Sequence, residues 1–269
     1  MSDSRLVVDS PTSWSPRDGA ALLSVTLLAI VCWSSGLTDG YWIDEVISRE
    51  TAAESWTSLL GRAGFGDVHP PLYYGLLKIW SGLAGSSDLM GRALSFLFAL
   101  GAAALMYLQG RRRGGVLTGA LASGLLVVYP LTAHYAVEVR SYALLLLLSI
   151  GSALATERWM ERPGSGRRLL SCATLYSLLV LTHYFGWIWA LLLALYSGFA
   201  GSRDRGAMQR WLLLQLSVLS AAGLWLPLVL VQARHLPPEV TAHLSSSLPL
   251  MELIGLFGPG AGHPLVAIF

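Results

Sequence analysis

Apolar runs long enough to cross a lipid bilayer recur along this chain, and no other feature constrains its fold as tightly. A hydrocarbon core of about 30 Å needs roughly 20 helical residues, each adding about 1.5 Å. Residues 20–37, 89–109, 115–131, 141–157, 169–184, 186–201 and 211–232 are the runs that qualify. They predict an all-α, polytopic membrane protein with about seven transmembrane helices. The fifth and sixth runs split one apolar stretch at Thr182-His183-Tyr184-Phe185-Gly186, and arginines flank that stretch at both ends. Flanks of like charge require an even number of crossings, hence a hairpin. Only 13% of residues are charged, about half the share of an ordinary soluble domain. The segment before the first run is polar and no small-residue cleavage motif follows that run, so 20–37 reads as an uncleaved span.

Orientation follows from the arginines. With residues 1–19 as a cytoplasmic N-terminal segment, Arg5, Arg17, Arg111 to Arg113, Arg158, Arg162, Arg167, Arg168, Arg203, Arg205 and Arg210 all fall inside, twelve of the eighteen basic residues. Residues 20–235 then form the membrane core, and 38–88 becomes one large first external loop. Within that loop, His69 to Trp80 is too short to cross and reads as a surface helix opened by Pro70-Pro71. Ser48 to Leu60 reads as a second amphipathic piece, with Trp56 as its interfacial anchor. Residues 236–269 form an external segment with a partial eighth apolar segment from Leu248. Cys32 and Cys172 sit in apolar runs without CxxC spacing and read as small buried hydrophobes.

This topology gathers ionisable residues at the outer boundary, where charge is costly unless it serves a purpose. Asp44 and Glu45 follow the first span: one carboxylate could take a proton from an attacking hydroxyl while the other orients substrate or binds a metal. Their plainer reading is a helix cap with a first-turn acid. Asp67 and His69 precede the diproline and could ligate a divalent ion or bind phosphate, or simply start a helix. Glu138 and Arg140 lie in the short link between spans three and four, and the guanidinium fork of Arg140 suits phosphate oxygens. Snorkelling to ordinary lipid phosphates is the plainer reading there. His183 and Tyr184 close the apolar hairpin, and a lone histidine at that place is more often interfacial than a ligand.

In order, Asp44-Glu45, Asp67 with His69-Pro70-Pro71-Leu72, Arg92 at the start of the second span, and Glu138-Val139-Arg140-Ser141-Tyr142 resemble the GT-C superfamily. The likeness is to its protein O-mannosyltransferase and aminoarabinose lipid A transferase branch, over residues 20 to about 200. The resemblance implies a GT-C core module that moves a sugar from a polyprenyl phosphate to an acceptor at the external face of a bacterial inner membrane. It implies Asp44 as the essential first-loop aspartate, Glu138 as the acidic position between spans three and four, and Arg92 and Arg140 as donor-phosphate ligands. The residues themselves add Glu45 as a second catalytic candidate, Tyr142 and His69 as further phosphate-binding candidates, and Asp67, His183 and Tyr184, with Glu138, as supporting ones. Magnesium, manganese or zinc is an open option for the cofactor, and the acceptor is open among protein, lipid and glycan. Members of that superfamily usually extend well beyond this length, so a truncated form and a minimal form both stay open. Membrane lipids are expected partners and nucleic acid is not. A transporter, which would place charges near the bilayer midplane, and a non-catalytic membrane scaffold are the competing readings.

Overall fold

The computed structural model describes residues 13–62, 69–201 and 205–234, and every regular element among them is helical. Helix α1 (Pro16–Trp33) runs into a 3-10 turn, Ser34–Thr38. Three short helices follow: α2 (Ile43–Ala53), α3 (Trp56–Arg62) and α4 (Leu72–Ala84). The rest of the bundle is α5 (Asp88–Val128), α6 (Pro130–Ala136), α7 (Tyr142–Glu161), α8 (Gly166–Val180), α9 (Tyr184–Gly201) and α10 (Arg205–Arg234). Each of the seven apolar runs is therefore helical. Three stretches, Pro16–Thr38, Asp88–Val128 and Tyr142–Glu161, are long and apolar enough to cross a membrane.

Helix α5 has 41 residues, about 60 Å if it were straight. It is not straight, because Gly114 and Gly115 leave helical geometry and Gly115 takes φ 81°, a region open to glycine at little cost. Beyond that turn the chain returns alongside itself. The Ser123 hydroxyl donates to the Ala103 carbonyl at 2.6 Å, and a Cβ built on Gly119 would lie 2.7 Å from the Tyr107 carbonyl oxygen. The helix is thus a hairpin with two arms, one for each of the runs 89–109 and 115–131, and Arg111 to Arg113 sit at its turn.

The outward faces of the bundle, like its core, are rich in large apolar side chains. The contacts between α1 and α5 use small residues, with Ala29, Ala99 and Ala103 buried in one cluster, as helix packing in lipid favours. Leu23, Leu27 and Val31 on α1 and Leu117, Leu121 and Leu125 on α5 are exposed at helical spacing. Such stripes are aggregation-prone in water and are satisfied in lipid. Trp33, at the end of α1, is buried and donates its indole N–H to the Val127 carbonyl at 3.0 Å. At the other end of α1 the buried Asp18 accepts from the Tyr107 hydroxyl at 2.6 Å and pairs with Arg111. That helix starts at Pro16, so the polar N-terminal segment hands over to the bundle earlier than residue 20.

Over one end of the bundle lie α2 to α4. The amphipathic piece expected over Ser48 to Leu60 breaks at Glu54-Ser55, where the Ser55 hydroxyl accepts from the Ser58 amide at 3.1 Å and starts α3. After the diproline, α4 begins at Leu72 and buries Tyr73, Tyr74 and Leu77 while Ile79 and Leu83 face out. Trp56, expected as an interfacial anchor, is exposed and lies 5.7 Å beneath the Lys78 ammonium, which also donates to the Glu54 carbonyl. Asp67 and segment 236–269 lie outside the described residues.

Candidate functional site

The local folding of α2 sets the site. Trp42 caps this helix, Asp44 and Glu45 occupy its first turn, and Glu45 reaches back to accept the Trp42 amide at 3.2 Å. Acids are favoured there by the unpaired N–H groups of the first turn. Glu45 is almost fully buried, and its oxygens need more partners than a cap supplies.

Arg92, near the start of α5, supplies the rest. Its Nε and one terminal nitrogen grip Glu45 at 3.1 and 2.7 Å. The remaining donors meet the carbonyls of Gly36, Asp39 and Gly40. The Val139 amide completes Glu45 at 2.9 Å. This bidentate pair, 4% and 1% exposed, staples the end of α1, the start of α2 and the α6–α7 link to α5. Arg92, expected to hold donor phosphate, has each of its donor nitrogens committed within the protein, and Glu45, expected to be catalytic, has both oxygens engaged. Both residues brace the site through these internal contacts.

Asp44 and Arg140 are what the brace positions. Arg140 is buried, its nearest terminal nitrogen stands 3.9 Å from the Asp44 carboxylate, and another lies 3.4 Å from the Ser48 hydroxyl. Ser48 is one helical turn after Asp44, so α2 offers both to the same guanidinium. The Asp44 side chain keeps 23% of its exposure, enough to face a substrate.

Glu138 adjoins this pair. It is buried, and the Trp42 indole donates to one oxygen at 3.0 Å. Among the described residues the other oxygen accepts no hydrogen bond, and the exposed His134 ring stands 3.5 Å from it. Burial pushes the Glu138 carboxyl up to about 7, with Glu45 and Asp44 adding to the rise and Arg140 opposing it.

A row of rings borders the carboxylates. Tyr135 and Tyr142 have centroids 4.3 Å apart, Tyr142 and His183 5.4 Å, and His183 and His69 4.7 Å. The two histidines meet because the Leu72 amide, at the start of α4, donates to the Leu181 carbonyl in the α8–α9 turn at 3.1 Å. Gly186 lets that turn close: a Cβ there would lie 2.3 Å from the Leu179 carbonyl oxygen. Tyr184, next in the turn, has its hydroxyl 3.4 Å from the Trp225 indole nitrogen on α10. Beside the histidines, Trp56, Leu59, Leu72, Leu76 and Ile79 line an apolar groove of about 290 Å³.

Asp44, Arg140, Glu138, Tyr142, His183 and His69 thus share one end of the bundle. Ser48, Trp42 and Tyr135 were not singled out from the sequence. The spacing of Asp44 and Ser48 on one helix was the available signal for the first, whereas Trp42 and Tyr135 act through contacts that spacing does not encode. Among the described residues no group of three or more His, Cys, Asp or Glu side chains is close enough to hold a metal ion. Comparison of the chain with protein-family models, with curated proteins and with solved structures finds no match in any of the three.

Proposed function

We propose that this chain is a polytopic membrane glycosyltransferase of the GT-C type, transferring a sugar from a polyprenyl phosphate to an acceptor hydroxyl. In this reading it crosses a bacterial inner membrane seven times, with its N-terminus in the cytoplasm and Asp44 at the external face. The observation that carries the proposal is the approach of Asp44 to Arg140 at 3.9 Å, beside an apolar groove, within an end of the bundle stapled by Glu45 and Arg92.

The chemistry assigns each side chain a task. Asp44 takes the proton of the acceptor hydroxyl as its oxygen attacks the anomeric carbon. The bond from that carbon to the phosphate oxygen breaks, and polyprenyl phosphate leaves with the electron pair. Arg140 balances the charge gathering on the departing phosphate, which no longer shares it with the sugar. A new glycosidic bond forms with the anomeric centre inverted. Glu138, held near neutrality by its burial, lowers the negative charge next to the incoming phosphate. The imidazoles and tyrosines offer ring faces and donors to the sugar, and the groove between α3 and α4 accepts the first prenyl units.

Purified Asp44→Asn, assayed with a radiolabelled polyprenyl-phosphate sugar and a membrane extract as the acceptor source, is expected to lose transfer by about 100-fold or more while melting like the native chain. Transfer at the native rate overturns the assignment of the base. Native protein that moves the labelled sugar across vesicles without forming product overturns the enzyme reading in favour of transport.

A further inference from the structure

We infer that the arginine-rich end of the bundle, opposite the Asp44–Arg140 site, binds an anionic phospholipid, with one acyl chain between α5, α7 and α8 and the phosphate at Arg158 and Arg167. A groove of about 760 Å³ opens there, more than twice the volume of the one beside His69. Its depth is apolar: Leu105 from the first arm of α5, Leu147 and Leu154 from α7 and Leu175 from α8 form the walls, and Gly151 leaves room between them. From Leu147 to Arg158 the α7 axis rises about 16 Å, a length that holds much of an acyl chain.

Four arginines close the groove at one end: Arg112, Arg158, Arg167 and Arg168. Glu161 is shared between Arg112 and Arg168. Glu157, the neighbouring acid on α7, is taken by Arg113 and Gln109. Among the described residues no carboxylate forms an ion pair with Arg158 or Arg167, and Glu161, already shared by two other arginines, acts on Arg158 only from a distance, so the described rim carries more guanidinium than paired carboxylate. The side walls are helices whose backbone groups are already bonded, which leaves an incoming chain only apolar contacts. An occupant therefore needs an anionic, oxygen-rich head for planar guanidinium forks and a linear apolar tail. A phospholipid with a net negative headgroup meets both needs, and basic residues at a membrane surface attract such lipids.

The test uses the full chain in detergent, titrated with dioleoyl phosphatidylglycerol or dioleoyl phosphatidylcholine, with retained lipid counted by native mass spectrometry. The native protein should retain the anionic lipid about tenfold better than the zwitterionic one, and Arg158→Gln with Arg167→Gln should bring the two to parity. Both arginines are exposed, so this double variant should melt like the native chain. Ser171→Trp, on the exposed rim of the same groove, should lower retention of both lipids. The inference is overturned if the native protein shows no preference, if the double variant keeps it, if Ser171→Trp changes nothing, or if millimolar inorganic phosphate alone removes the preference.

Discussion

The charges around the Asp44 site and those around the arginine-lined groove are held in opposite ways, although each end of the bundle also has a pair of the other kind, Asp18 with Arg111 buried near the groove and Arg49 with Asp88 exposed near the site. At the Asp44 end, Glu45 and Arg92 are both buried and carry bonds to five separate backbone groups. At the arginine-rich end, Arg112, Arg113 and Arg168 make ordinary pairs with Glu157 and Glu161 in partly open positions. Desolvation makes a broken buried pair expensive, while water and salt weaken an exposed one. The lesson is that the site is built to hold one geometry, and the rim of the groove is built to present charge.

The largest effect is expected from breaking the buried pair. Glu45→Ala leaves Arg92 uncompensated and should lower stability by about 3–5 kcal/mol, measured by denaturant or thermal unfolding in one detergent. Replacing Glu45 and Arg92 together by Gln and Met should recover part of that loss. If it does not, the cost lies in the carbonyl contacts of Arg92 and not in the stranded charge.

Next in size is the pH response of Glu138. Its folded carboxyl titrates at about 7 against an ordinary 4.5, so the fold favours the protonated form. That contribution is complete below pH 4.5 and is lost as the pH rises to 7, worth up to about 3 kcal/mol. The melting temperature of the native chain minus that of Glu138→Gln should therefore fall across this window. A flat difference would mean that Glu138 is solvated in solution.

The smallest effect belongs to the open end. Glu161→Ala removes a partner from both Arg112 and Arg168, yet it should cost less than about 1 kcal/mol, and 0.5 M salt should erase most of the difference. A loss comparable to that of Glu45→Ala would break the contrast between the ends.

The sequence made much of this framework readable. Apolar runs mark the bundle helices, because lipid forces backbone groups to pair within a segment. Arg111 to Arg113 followed by Gly114 and Gly115 mark the turn of α5. The meeting of Asp44, Glu138, Arg140 and the histidines at one end followed from counting helices between them. Who pairs with whom was not readable: Glu45 and Arg92 carry the same chemistry as a catalytic acid and a phosphate ligand, and only tertiary packing commits them to each other. The stacking of His69 on His183 likewise depends on one backbone bond between Leu72 and Leu181. The break at Glu54-Ser55 was hidden because the apolar pattern continues through it.

The most direct measurement is a structure of the protein with polyprenyl monophosphate bound. The account predicts the phosphate within hydrogen-bonding distance of Arg140, with the Asp44 carboxylate facing it and the first prenyl units in the groove beside His69. A phosphate lodged instead among Arg112, Arg158, Arg167 and Arg168, with nothing bound at Arg140, would contradict it.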